Sequence, residues 1–331
     1  MPSVTVLGAG GWGTSLSIHL ARLGHDVSLW ARDPSLAAEA EARRVNAQYL
    51  PGIQFPANLH ATGQLSTALQ DAELVVAALP SHGTRDILRR AAAHVRPSTI
   101  VVSATKGLER DTLFRGSEIV NQELPDVRVA VLSGPSFAVE VARELPTAVC
   151  IASTDPSVVE VVQADFKSPY LRLYGTDDVL GVEIGGALKN VIAIAAGVVE
   201  GLGLGHNALA GLITRGLAEM SRLACAAGAK RETLAGLSGL GDLVLTCNGT
   251  LSRNRHVGIE LAHGRALQDV LGEMKMVAEG VRTTEAALAL ATRYGVELPI
   301  AAQVSELLAG RKDPRTALGE LMVRPQRAEV G

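Results

Sequence analysis

Short apolar runs rich in β-branched residues recur through the first half of the chain, separated by longer stretches with helical spacing. Val4–Leu7, Val27–Ala31, Leu74–Leu79, Thr99–Ser103, Arg128–Ser133 and Thr147–Ala152 read as strands, and Tyr170–Tyr174 as a last edge strand. Most are apolar at successive rather than alternate positions, which fits strands buried on both faces. Thr14–Ala21 and Ser35–Arg44 read as helices between them. Regular strand–helix alternation predicts a parallel sheet with helices over both faces. The breakers Pro51-Gly52, Pro80, Pro97 and Pro125 fall between elements.

The pattern changes after Asp177-Asp178. From Gly181 onward apolar residues recur at three and four spacing, so the second part reads as all-α. This divides the chain into an α/β unit over 1–178 and a helical unit over 179–331. Val191–Thr214 carries a single charge, Glu200, and imitates a membrane span. Gly197, Gly201, Gly203, Gly205 and Gly211 interrupt it. It therefore reads as two short buried helices around a glycine-rich turn, with no membrane insertion.

Composition changes the picture in three respects. The 331 residues have room for two cores. A net charge of −3 and an aromatic content of 3% argue against a nucleic-acid partner. Cys150, Cys225 and Cys247 are too widely spaced for a disulfide framework or a zinc site and suggest a reducing compartment. The first strand starts at residue 4, which leaves no room for a signal peptide, so the cytoplasm is the expected location.

The first strand runs directly into Gly8-Ala9-Gly10-Gly11-Trp12-Gly13 and then a helix. G-x-G-x-x-G in a strand–turn–helix–strand setting is the fingerprint of a dinucleotide site in a doubly wound, Rossmann-type sheet. The glycines permit a tight turn and close approach, while the helix N-terminus offers N–H groups to a pyrophosphate. NAD specificity usually comes from an acidic residue about 20 positions past the glycines, at the end of the second strand. Here Arg32 stands there, and Asp33-Pro34 suits the N-cap and first turn of the next helix. Arg32 is thereby free to meet a 2′-phosphate, the alternative being a solvated surface arginine. This favours NADP(H) while leaving NAD(H) open.

The chemistry narrows by absence. No Tyr is followed by Lys four residues later, and no H-E-x-x-H or paired C-x-x-C offers a metal, so no metal ligands are assigned. Lys189 is the one charge in the apolar, glycine-rich segment Gly185–Asn190. Burying a lysine is costly, and a protonated one can hydrogen-bond a ketone oxygen and stabilise the alkoxide that forms. The alternative is a lysine that reaches solvent or caps a helix. Asn190 stands ready to orient a substrate beside it. Lys106 lies just past a strand, at the sheet edge where open α/β sheets bind ligands, though an exposed loop lysine reads the same way. Two segments suit anions: Ser133–Phe137, with Ser136 as a helix cap, and Ser252-Arg253-Asn254-Arg255 at the start of another helix. Together they favour a small phosphorylated substrate.

In order along the chain, the glycine fingerprint, the Lys106 segment, Gly134-Pro135-Ser136-Phe137-Ala138, Lys189-Asn190, Gly239-Leu240-Gly241-Asp242, Ser252-Arg253-Asn254 and Val277-Ala278-Glu279-Gly280 resemble bacterial NAD(P)-dependent sn-glycerol-3-phosphate dehydrogenases. The resemblance covers nearly the whole chain. It implies interconversion of dihydroxyacetone phosphate and sn-glycerol 3-phosphate for phospholipid synthesis, with Lys189 as the catalytic acid/base. It further implies a substrate site of Lys106, Gly134, Ser136, Lys189, Asn190, Asp242, Ser252, Arg253 and Asn254. Gly8, Gly10, Gly11, Trp12, Gly13, Arg32, Lys106, Ala138, Arg253, Val277 and Glu279 would touch the cofactor, and the active form would be a homodimer. Many relatives carry Ser and then Tyr or Trp after the second fingerprint glycine, where this chain has Gly11-Trp12, so one hydroxyl near the pyrophosphate is missing. The alternative is a β-hydroxyacid or 6-phosphogluconate-type dehydrogenase. Those enzymes place an asparagine four residues after the lysine, where this chain has Ala193.

Overall fold

The computed structural model describes residues 2–274 and 276–326. Its first half is one eight-stranded sheet of β1 (Ser3–Leu7), β2 (Asp26–Trp30), β3 (Leu59–Thr62), β4 (Leu74–Ala77), β5 (Ile100–Ser103), β6 (Arg128–Ser133), β7 (Thr147–Ala152) and β8 (Leu171–Thr176). The order across the sheet is β3-β2-β1-β4-β5-β6-β7-β8. The chain therefore reverses its direction of travel between β1 and β4, and the carboxyl ends of those two strands open a crevice. Val4, Val6, Val75, Val76, Val101 and Val102 are completely buried, because helices cover both faces.

Two features of the sheet differ from the sequence expectation. The pairing of β6 with β7 is antiparallel, with Ser133 opposite Cys150, whereas every other pair is parallel. The chain reaches β7 through the single-turn helix Ala138–Ala142, too short to carry it back to the start of a parallel strand. Edge strand β3 escaped the pattern because Leu59 is the single fully buried residue of Leu-His-Ala-Thr.

From Val179 on, the described residues form helices around one central rod, Val179–Gly201. That rod is long and apolar enough to cross a membrane, yet nearly all of it is buried inside the protein. Its partner is Gly205–Ala226. These are two long helices where two short ones were expected. Only Gly203 and Gly205 adopt left-handed backbone, with φ of 67° and 80°, and they make the turn between the rods. Gly197 stays inside its helix for a different reason. A Cβ on it would fall 1.9 Å from the carbonyl oxygen of Arg255, and one on Gly258 would fall 1.9 Å from that of Ile194. The central rod and the helix Arg253–Ala262 therefore cross backbone to backbone, which fixes the Arg253-Asn254 end against Lys189-Asn190.

This contact predicts that Gly258→Ala destabilises the protein by about 2–3 kcal/mol, since overpacking displaces backbone rather than a flexible side chain. Urea unfolding should show a lower midpoint with an unchanged slope; an unchanged midpoint would mean the helices can part freely.

Candidate functional site

The glycine loop closes on itself through backbone approach. Gly8 adopts φ 113°, and a Cβ on Gly13 would fall 1.9 Å from the Gly8 carbonyl oxygen. Only glycine fits either place. The helix Gly11–Arg22 starts here with no side-chain cap, so its first N–H groups point into the crevice unpaired by the cap residue. Asn46 braces the loop from below, its buried amide donating to the Ala9 carbonyl at 2.9 Å and to Thr14 Oγ1 at 2.8 Å. Ala138 lies alongside, since Ser15 Oγ donates to its carbonyl at 2.8 Å and a Cβ on Gly11 would touch the Ala138 methyl. Among the described residues, Trp12 Nε1 is buried without a partner. An unpaired donor beside a glycine cradle and a free helix N-terminus fits a dinucleotide pyrophosphate. At the end of β2, the Asp33 side chain accepts from Ser35 N at 2.9 Å, leaving Arg32 exposed.

Across the crevice lies a buried carboxylate between two lysines. Asp242 Oδ1 accepts from Lys189 Nζ and Oδ2 from Lys106 Nζ, both at 2.7 Å. Lys189 comes from the central rod, Lys106 from the loop after β5, and Asp242 opens the helix Asp242–Asn248. Each lysine makes one further bond: Lys189 to Thr246 Oγ1 at 2.8 Å, Lys106 to the Gly134 carbonyl at 2.9 Å. An ammonium has three donors, so each lysine keeps one for a ligand. Burial lowers the Lys189 pKa to about 8; Asp242 opposes that shift and Lys106 adds to it. Burial alone would raise the Asp242 pKa, but the two ammonium groups hold it below the usual carboxylate range.

A second set of contacts ties the sheet to the helices above the crevice. Ser81, just past β4, donates its N–H to Glu279 Oε1 at 3.3 Å and its hydroxyl to Glu279 Oε2 at 2.7 Å. Arg253 Nη1 donates to the Val277 carbonyl at 2.8 Å. Asn254 Nδ2 donates to Asn190 Oδ1 at 2.9 Å, and Asn254 Oδ1 accepts from Gly280 N at 2.9 Å. Burial pushes the Glu279 pKa up, against the Ser81 bonds and the nearby charges of Arg253 and Arg282.

Several residues expected to contact a ligand also make bonds within the protein. The Asn190 amide engages Asn254 and the Gly186 carbonyl rather than pointing free. The Ser252 hydroxyl caps its helix by accepting from Arg255 N. Ser136 is not the helix cap; Phe137 takes that place, and the Ser136 hydroxyl donates to the Gly134 carbonyl at 3.0 Å. Thr246 and Ser81 were overlooked. Thr246 was within reach of the pattern, since it follows Asp242 by four residues and so shares its helix face. Nothing local marks Ser81, whose partner lies 198 residues away.

A glycine-cradled crevice at the sheet's switch point, faced by two lysines around one buried carboxylate, defines a two-domain, dinucleotide-dependent dehydrogenase. Residues 3–159 match the family model for the NAD-dependent glycerol-3-phosphate dehydrogenase N-terminus, and residues 178–319 the model for its C-terminus. The chain belongs to this family. It is 52% identical over 329 residues to glycerol-3-phosphate dehydrogenase [NAD(P)+] of Geobacter sulfurreducens, covering 98% of each chain. It is 51% identical over 331 residues to the Geobacter metallireducens protein of that name, covering 99% of each. The crystal structure of glycerol-3-phosphate dehydrogenase from Coxiella burnetii superimposes with a TM-score of 0.95 at 40% identity, covering 98% of this chain and 99% of that one. A ketopantoate reductase from Ralstonia eutropha shares the fold alone, with a TM-score of 0.60 at 18% identity.

Removing the central carboxylate with Asp242→Asn should cost about 3–5 kcal/mol at pH 7, because the buried Lys189 ammonium and the partly buried Lys106 ammonium lose their counter-charge. The folded-state pKa of Lys189 should then drop below about 8. The unfolded chain binds more protons than the folded one in that window, so stability of the variant rises with pH. Denaturant unfolding at pH 7 and pH 10 checks this. A loss of equal size at both would mean that Asp242 acts through packing.

Proposed function

We propose that this enzyme reduces dihydroxyacetone phosphate to sn-glycerol 3-phosphate and catalyses the reverse oxidation, with NADP(H) preferred over NAD(H). The observation that carries the reading is the Lys106–Asp242–Lys189 network, in which each ammonium keeps one free donor at the mouth of the glycine-lined crevice. The names of its relatives support the same reaction. Gly8, Gly10, Gly11, Trp12 and Gly13 would hold the pyrophosphate, chiefly through backbone N–H groups, and Arg32 the 2′-phosphate. Ala138, Val277 and Glu279 would flank the dinucleotide. The bound nicotinamide supplies or takes up the hydride.

Lys189 donates a hydrogen bond to the substrate carbonyl oxygen and releases its proton to that oxygen as negative charge develops. Asp242 remains ionised, keeping both ammonium groups charged until that moment. Thr246 restricts Lys189 Nζ so that its third proton faces the substrate. Lys106 adds a second positive charge near the same oxygen. Arg253, at the first turn of its helix with Asn254, supplies a planar fork for the substrate phosphate. Gly134 and Ser136 form the opposite wall. In this reading the enzyme works in the cytoplasm as a homodimer and feeds glycerophospholipid synthesis.

The test is loss of NADPH absorbance on mixing the protein with dihydroxyacetone phosphate; no oxidation above background sinks the proposal. Lys189→Ala should lower kcat by about a thousandfold or more while leaving NADPH affinity within about twofold. Wild-type ketone reduction needs protonated Lys189, so its kcat should fall as pH rises through about 8. Oxidation of glycerol 3-phosphate needs the neutral amine and should rise over the same range. Profiles flat across pH 7–9 in both directions would remove Lys189 from the proton transfer.

A further inference from the structure

Beyond Arg32, two more basic side chains converge on the same edge of the dinucleotide crevice, and nothing in the mechanism above uses them. In the sheet, β2 and β4 lie on either side of β1, so the ends of all three strands border the glycine loop. Arg32 follows β2, and His82 lies in the single turn Ser81–Gly83 that follows β4. Arg282 belongs to the other domain, on the helix Glu279–Arg293. The two bonds from Ser81 to Glu279 lock that turn onto the first turn of that helix. His82 is the next residue after Ser81, and Arg282 lies three residues after Glu279, on the same helix face. The bond between the neighbours thus brings His82 and Arg282 together.

Electrostatics agrees with the placement. After burial, the charges of Arg282 and Arg32 are what push the His82 imidazole below its ordinary value, so both guanidinium groups lie within electrostatic reach of it. Among the described residues neither arginine has a carboxylate within ion-pair distance. Asp33 is occupied in capping Ser35, and Glu279, whose charge reaches Arg282, already accepts from Ser81 at both oxygens. Arg32 and Arg282 are exposed, and His82 is exposed over part of its surface while the rest is covered by its neighbours. Like charges gathered on one rim from three separate elements favour an anion among them.

We infer that Arg282, assisted by His82, completes the 2′-phosphate site that Arg32 begins, so that the helical domain takes part in choosing NADP(H) over NAD(H). The inference rests on the dinucleotide reading above. A phosphate monoester carries close to two negative charges near neutral pH, and two guanidinium forks bind it through charge-assisted hydrogen bonds. NAD(H), with a hydroxyl at the same position, offers no charge to either fork. The preference is thereby tied to the seating of one domain on the other, because the Ser81–Glu279 bond that positions Arg282 spans the two domains.

The test is direct binding to the full-length protein, read from nicotinamide fluorescence for NADPH and NADH, with adenosine 2′,5′-bisphosphate and 5′-AMP as competing fragments. Arg282→Ala should weaken NADPH and adenosine 2′,5′-bisphosphate by about tenfold, and NADH and 5′-AMP by less than about twofold. Arg282→Lys should recover part of that loss. Equal weakening of NADPH and NADH, or no weakening of either, overturns the assignment. Arg282→Gln gives the same comparison should the alanine variant lower the thermal midpoint. These readouts do not involve turnover: failure to reduce dihydroxyacetone phosphate would leave them standing, whereas failure of the wild-type chain to bind either dinucleotide would remove the reading beneath them.

Discussion

The structure is organised around one carboxylate that water cannot reach. Asp242 is almost wholly buried, and a lone carboxylate there would be prohibitively expensive. It is tolerable because Lys106 arrives from the sheet domain and Lys189 from the central helix, both at hydrogen-bond distance. Three charges from three elements satisfy one another only when the two domains are seated together. The same arrangement keeps Lys189 positive while lowering its proton affinity toward the range where it can release a proton. Structural cost and chemical usefulness therefore have a common origin: an ammonium group held in a place from which burial would otherwise drive the charge.

The surroundings serve that triad by fixing distance. Backbone contact at Gly197 and Gly258 sets the crossing of the central rod against the helix that carries Arg253 and Asn254. The Asn190–Asn254 bond then locks the register between them. Ser81 and Glu279 hold the loop after β4 to the helical domain, while Glu183 receives Arg115 and Ser117 further along the same seam. Every one of these links joins residues more than fifty positions apart. A crevice closed by long-range pairs can be rigid at its floor and still open along the edge where the dinucleotide must enter.

Much of the fold was legible because its strands are nearly continuous apolar runs and its glycine loop has a spacing few other structures need. The antiparallel turn of β7 was not, since strand direction depends on the connecting geometry and leaves no mark on the strand itself. Edge strand β3 was hidden by its polar residues. The glycine-rich interval 191–214 misled in a telling way: glycines that read as breaks in a helix proved to be points where another backbone presses against it. At the site, Lys189, Lys106 and Arg253 stood out by residue type and context, whereas Asp242 entered only through the family resemblance. Ser81 and Arg282 did not, because an isolated serine or helical arginine is ordinary until its distant neighbours are known.

Local chemistry written in the sequence was enough to determine a dinucleotide cradle at the first strand, a buried lysine in an apolar helix, a freed arginine at the end of the second strand, and an all-helical second half. Each follows from short-range physics: backbone sterics at glycine, the cost of burying charge, capping of a helix end. What only the tertiary structure decided is which of these meet. It gave Lys106 and Lys189 a single counter-ion, turned Asn190 into a strut against Asn254, and brought Arg282 beside His82 on the crevice rim. Pairing of charges across a hundred or more residues depends on how whole helices pack, and packing is set by shapes that no local spacing records.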